Sequence, residues 1–109
     1  VDQALKDSYL AGIIDGEGCI GVYKSFDKRP GRGKYYYRVY VVVVQADPKI
    51  PTWIQLNYGG SIDKTSRKQG FKVGGYYRWT IFGTKCLEML RRVHPFLLLK
   101  QEKAEHAIK

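Results

Sequence analysis

Two carboxylates, Asp15 and Glu17, stand one residue apart among Gly12, Gly16 and Gly18, where a helical pattern comes to its end. Acids near a helix C-terminus face the negative pole of its dipole, at about 0.3 to 1 kcal/mol each. A cation held there relieves that repulsion, so the chemistry these residues point to is cation binding. An exposed helix end with two solvated acids describes either residue alone, but not the whole glycine-framed string.

The helix that must position them is read from Leu5, Tyr9, Leu10, Ile13 and Ile14, which recur at helical spacing and predict one buried stripe. Ser8, Gly12 and Gly16 form a second stripe of small residues, four apart. Glycine inside a helix costs roughly 1 kcal/mol relative to alanine, and close approach of a second helix supplies the reason for it. Gly18 is expected in the left-handed conformation that commonly closes a helix.

A chain of 109 residues with 44% hydrophobic residues suffices for one domain, 1–109, with a core of its own. The net charge of +9 favours a polyanionic partner, nucleic acid or anionic membrane. No apolar run approaches the roughly 20 residues that span a bilayer, and no signal peptide is visible, which predicts a soluble intracellular protein. Cys19, Cys86, His94 and His106 lack zinc-ligand spacing.

Along the chain, alternation predicts a strand over 19–27, with Ile20 and Val22 on one face and Gly21, Tyr23 and Ser25 on the other. After a basic turn containing Pro30, Gly31 and Gly33, a second strand over 35–45 puts Tyr37, Val39, Val41 and Val43 opposite Tyr36, Arg38 and Tyr40. Asp47 is the expected N-cap of a short helix with Pro48 at its first position, stopped by Gly59 and Gly60. Two further strands follow over 61–67 and 76–82, then a helix over 85–94, broken by Pro95, and a last helix from Phe96 onward. The expected class is α+β, with helices on one face of an antiparallel sheet.

Of the nineteen Lys and Arg residues, eleven fall in the two hairpins: Lys24, Lys28, Arg29, Arg32, Lys34 and Arg38 in the first, Lys64, Arg67, Lys68, Lys72 and Arg78 in the second. Basic strands are often ordinary solvated surface, but concentration in two like hairpins suits a surface that contacts phosphates. Tyr23, Tyr36, Arg38, Tyr40, Tyr76 and Arg78 are candidates to reach base edges in a major groove wide enough for a two-stranded ribbon. Stacking of single-stranded bases on the tyrosines is the rival use.

Residues 10–18 read LAGIIDGEG. This string resembles the signature of the LAGLIDADG homing endonucleases, and the order helix, hairpin, helix, hairpin, helix matches their αββαββα core over nearly the whole chain. Ile13 stands for the leucine of the signature, Gly16 for its alanine and Glu17 for the commoner aspartate, one methylene longer. The chain also looks shorter than relatives with additional C-terminal helices.

The resemblance implies a saddle-shaped sheet and site-specific hydrolysis of double-stranded DNA with staggered 3′ overhangs. It further implies Mg2+ as cofactor, with Mn2+ as a substitute, and the mobility of an intron or intein. It makes Glu17 the direct metal ligand, with Asp15 supporting the helix end or metal shell. Gln45 would position the attacking water and Lys100 stabilise the charged transition state; without the resemblance these are a strand-end glutamine and an exposed helix lysine. Lys49 is a weaker candidate for the same basic pocket. One motif per chain implies a homodimer whose seam uses Ser8, Ala11, Gly12, Asp15 and Gly16. The alternatives are a non-catalytic DNA-binding protein or RNA maturase on the same fold and, further off, a generic basic RNA-binding domain.

Overall fold

Asp2 starts the first helix: its carboxylate accepts the Ala4 N–H at 3.0 Å, satisfying an amide that has no intrahelical partner. In the computed structural model, which describes residues 2–26, 31, 33–66 and 75–108, this helix, α1, runs Gln3–Glu17. It passes without a connecting residue into strand β1, Gly18–Phe26. Gly18 is not left-handed as expected, but extended at φ −92° and ψ 167°. Glycine is needed there for space, because a Cβ would lie 2.8 Å from the Ile14 Cα.

Strand β2, Tyr35–Gln45, pairs antiparallel with β1 in a register that sets Gly18 opposite Val43 and Phe26 opposite Tyr35. Helix α2, Lys49–Tyr58, begins one residue later than expected. Pro48 is its cap, while the Asp47 carboxylate accepts the Lys49 N–H at 2.9 Å. Gly59 and Gly60 end it with φ of +86° and +93°, and a Cβ on Gly60 would sit 2.6 Å from the Trp79 indole nitrogen. That nitrogen instead donates to the Gly59 carbonyl at 2.8 Å, so the largest core side chain is buried with its polar atom satisfied.

Strands β3, Ser61–Ser66, and β4, Gly75–Phe82, complete an antiparallel sheet of order β1-β2-β4-β3. Helix α3, Gly83–Val93, buries Cys86, Met89, Leu90 and Val93. Pro95 then sits in a 3-10 turn, His94–Phe96, and helix α4 covers Gln101–Ile108, five residues later than the expected start at Phe96.

Among the described residues one apolar cluster joins these elements. Leu10 and Ile14 of α1, Val41 and Val43 of β2, Ile54 of α2, Trp79 of β4 and Leu90 of α3 are all fully buried. Each such Leu or Ile contributes about 1.5 to 3 kcal/mol relative to exposure. The α+β expectation thus holds, but the stripe on α1 is narrower than its periodicity suggested, since Leu5 is 64% and Tyr9 55% exposed. Asp7 takes the inward place instead. It is 6% exposed and accepts hydrogen bonds from Gln3 at 2.9 Å, Tyr58 at 2.7 Å and Arg92 at 3.3 Å, tying α1 to α2 and α3. No helix among the described residues is long and apolar enough to cross a membrane.

Candidate active site and nucleic-acid interface

Because α1 runs directly into β1, its last residue is delivered to the rim of the sheet. Glu17 is exposed there, and no hydrogen bond or ion pair among the described residues engages its carboxylate. Asp15, two residues earlier, is in the opposite condition. One of its oxygens accepts the Leu98 N–H at 2.7 Å, the other the N–H groups of Leu99 at 3.1 Å and Lys100 at 2.9 Å. Three successive amides aimed at one carboxylate hold the 98–100 bend in place and delay the start of α4, whose first helical hydrogen bond runs from Ala104 N–H to the Lys100 carbonyl at 3.0 Å.

Lys100 is half-buried, and its Nζ donates to the Asp15 carbonyl at 2.7 Å, capping the C-terminal end of α1 with positive charge. Gln45 is the last residue of β2, paired across the sheet with Tyr77. The Gly18 to Val43 register puts it at the end of the β1–β2 ladder where α1 arrives. Glu17, Gln45 and Lys100, distant in sequence, therefore share one corner of the fold. Among the described residues there is no group of three or more His, Cys, Asp or Glu side chains able to hold a metal, so an ion at this corner would draw its remaining ligands from water and substrate.

The sheet divides its residues by parity. Val39, Val41 and Val43 face the helices, whereas Tyr36, Arg38 and Tyr40 of β2 share the outer face with Tyr76 and Arg78 of β4, Tyr23 of β1 and Phe82. The Tyr23 ring lies 6.1 Å from that of Tyr40 and 6.2 Å from that of Phe82, with the Arg38 guanidinium 6.0 Å from the Phe82 ring. Phe82 is the member that a reading as a mere strand end misses, although it keeps the period of two set by Arg78 and Thr80. Lys24 and Lys64 depart from the expected grouping. They pair with Tyr37 and Tyr77 on the opposite parity, their ammonium groups over the rings of Tyr35 at 4.1 Å and Tyr77 at 5.8 Å. Lys34 is exposed just before β2. The expected contacts Lys28, Arg29, Arg32, Arg67, Lys68 and Lys72 lie outside the described residues.

On α1, Ser8, Gly12 and Gly16 are exposed, and a Cβ added to either glycine would meet nothing within 4 Å. Ala11, expected beside them, is fully buried in the chain's own core, and Asp15 is turned into its bonds with residues 98–100, so neither side chain belongs to that open face. Exposed Leu5 and Tyr9 flank the small residues instead, Tyr9 leaning on Trp53 with ring centroids 5.0 Å apart. Leu98 and Leu99, exposed beside the C-terminal end of the helix, were not foreseen.

No protein-family model and no curated protein sequence matches the chain. Solved structures do. The homing endonuclease I-CvuI in complex with its target, in the presence of Ca, superimposes with a TM-score of 0.74 at 27% identity over 96% of this chain and 64% of that one. I-CvuI with the I-CreI target in Mg, its DNA not cleaved, gives 0.73 at 27% identity, covering 95% of this chain and 64% of that one. The archaeal intron-encoded homing endonuclease I-Vdi141I complexed with DNA gives 0.68 at 18% identity, covering 95% and 65% of the two chains, and shows the fold. The chain thus spans a little under two thirds of the length of these relatives. The motif at 10–18, the element order and the shared fold make the chain similar to the LAGLIDADG homing endonucleases, with the motif carried once.

Proposed function

We propose that this chain is half of a homodimeric, Mg2+-dependent homing endonuclease that cuts double-stranded DNA at a specific site and leaves staggered 3′ overhangs. The observation that carries the reading is the corner where α1 ends: Glu17 exposed, Gln45 at the neighbouring strand end, and Lys100 fastened 2.7 Å from the Asp15 carbonyl. The DNA-bound state of I-CvuI and I-Vdi141I supports it.

Glu17 would hold the metal. A single open carboxylate suits Mg2+, which binds through one or two carboxylates and keeps water and phosphate oxygens in its shell. When bound, the ion activates water and neutralises charge developing on the phosphate. The Gln45 amide orients the attacking water by hydrogen bonding. Lys100 spends one of its three donors on the Asp15 carbonyl and turns the others toward the scissile phosphate, where an oriented positive charge lowers the barrier. The outer sheet face, through Tyr36, Arg38, Tyr40, Tyr76 and Arg78, reads the duplex, and the basic hairpins grip its backbone.

Cutting both strands requires a second site. The open face of Ser8, Gly12 and Gly16 lets a second copy approach at backbone distance, covers Leu5 and Tyr9, and brings a second Glu17 toward the first. Like charges so close call for a cation between them.

The test is a randomised duplex library incubated with wild type and Glu17→Gln in Mg2+, in Ca2+ and in chelator. Mg2+-dependent cutting by wild type, absent from the variant, is the expected result. Sequence-selective binding by wild type without cutting in Mg2+ would refute the reading.

A further inference from the structure

Asp15 and Lys100 exchange side chains for main chain. The Asp15 carboxylate binds the Lys100 amide at 2.9 Å, and the Lys100 ammonium binds the Asp15 carbonyl at 2.7 Å, across 85 residues of sequence. Two more amides, those of Leu98 and Leu99, converge on the same carboxylate at 2.7 and 3.1 Å. Charge-assisted bonds to a carboxylate are roughly twice as strong as neutral ones, so this set defines the path of residues 98–100 firmly. It defines as well the point from which the Lys100 side chain departs, within two residues of Glu17 along α1.

We infer that Asp15 is the positioning residue for Lys100 rather than a ligand of the metal. With both oxygens accepting hydrogen bonds, Asp15 would have to release the 98–100 bend before it could coordinate an ion. Glu17 carries no such commitment. The two acids of the motif then divide the work: Glu17 meets the metal, and Asp15 sets where the lysine that faces the phosphate stands. The inference rests on the nuclease reading, and its test separates the two.

The substitution is Asp15→Asn, which keeps the shape but puts an amide NH2 against one or more of the backbone N–H groups. Single-turnover cleavage is compared with wild type, alongside target affinity in Ca2+ and the Mg2+ concentration giving half-maximal rate. The positioning role predicts a cleavage rate lower by about 100-fold, the scale of losing one oriented transition-state donor. Affinity and half-saturating Mg2+ should each stay within about threefold, and Asp15→Asn/Lys100→Met should be no slower than Lys100→Met alone. A raised Mg2+ requirement, additive losses in the double variant, or a rate within about threefold of wild type would each overturn it. Should Asp15→Asn fail to fold, wild type crystallised on its target with Mn2+ decides: the ion at about 2.1 Å from an Asp15 oxygen overturns the inference. The ion on Glu17, with the three amides still on Asp15, upholds it. Wild type that fails to cut in Mg2+ removes the nuclease reading and this role together, whereas wild type that cuts leaves the Asp15 result to stand on its own.

Discussion

Gly21 and Tyr40 are cross-strand partners, and a methyl group on Gly21 would collide with the Tyr40 ring. The glycine is thus the floor on which an outer-face tyrosine lies, an aromatic shielding a glycine between strands. Gly21→Ala is expected to cost about 1 to 3 kcal/mol by overpacking. Because the ring must leave its place, duplex affinity should fall about tenfold. Thermal denaturation of Gly21→Ala, Tyr40→Ala and the double variant checks this: the double variant should be more stable than Gly21→Ala alone.

Asp7 supplies the second prediction. Burial pushes its carboxyl up, but hydrogen bonds from Tyr58 and Gln3 and the charge of Arg92 outweigh it, so it titrates below the ordinary carboxylate range. A group whose folded value is depressed contributes stability above its unfolded value, about 3.9, and loses it as pH falls through the folded one. Asp7→Asn should therefore lower stability near neutrality by about 1 to 3 kcal/mol. In urea denaturation followed from pH 7 to pH 2, the gap between wild type and variant should shrink as the medium becomes acid. A gap that stays constant with pH would count against the assignment.

How much of this was legible in the chain depends on the range of the forces involved. Strand β2 shows in its face assignment because a sheet with one buried face imposes period two where the core covers it, burying Val39, Val41 and Val43 in alternation with Tyr40, Val42 and Val44. Gly18 was misread because a glycine after a helix usually turns the chain, and only contact with Ile14 reveals a steric reason in an extended residue. The exposure of Leu5 and Tyr9 escaped because periodicity marks an apolar stripe without saying which body covers it. Asp15 offered no local sign of its partners, which stand 83 to 85 residues away. Glu17, the proposed metal ligand, was readable from the motif, and the fastening of Asp15 to residues 98–100 was not.

Burial pushes the Cys86 thiol up to about 12, while Cys19 is exposed on β1. A thiol that stays protonated and enclosed does not react. Titration of the free protein with a thiol reagent at pH 8 should therefore modify Cys19 within minutes and leave Cys86 intact until denaturant is added. Rapid labelling of Cys86 in native protein would mean that the α3 packing opens readily.

Gly12 offers the sharpest separation between folding and assembly. Nothing within 4 Å would meet a Cβ there, so the protomer has no steric need for glycine, which inside a helix costs roughly 1 kcal/mol relative to alanine. Gly12→Leu should accordingly leave the protomer's thermal stability equal or slightly raised. In the proposed dimer the same side chain would stand between two α1 helices packed at backbone distance, and the expected outcome is a shift in sedimentation from dimer to monomer. If both Glu17 sites depend on that contact, double-strand cleavage disappears with the dimer even though every residue of the α1 corner is intact. Gly12→Leu protein that remains dimeric and cuts both strands would show that the second site is assembled through a different face.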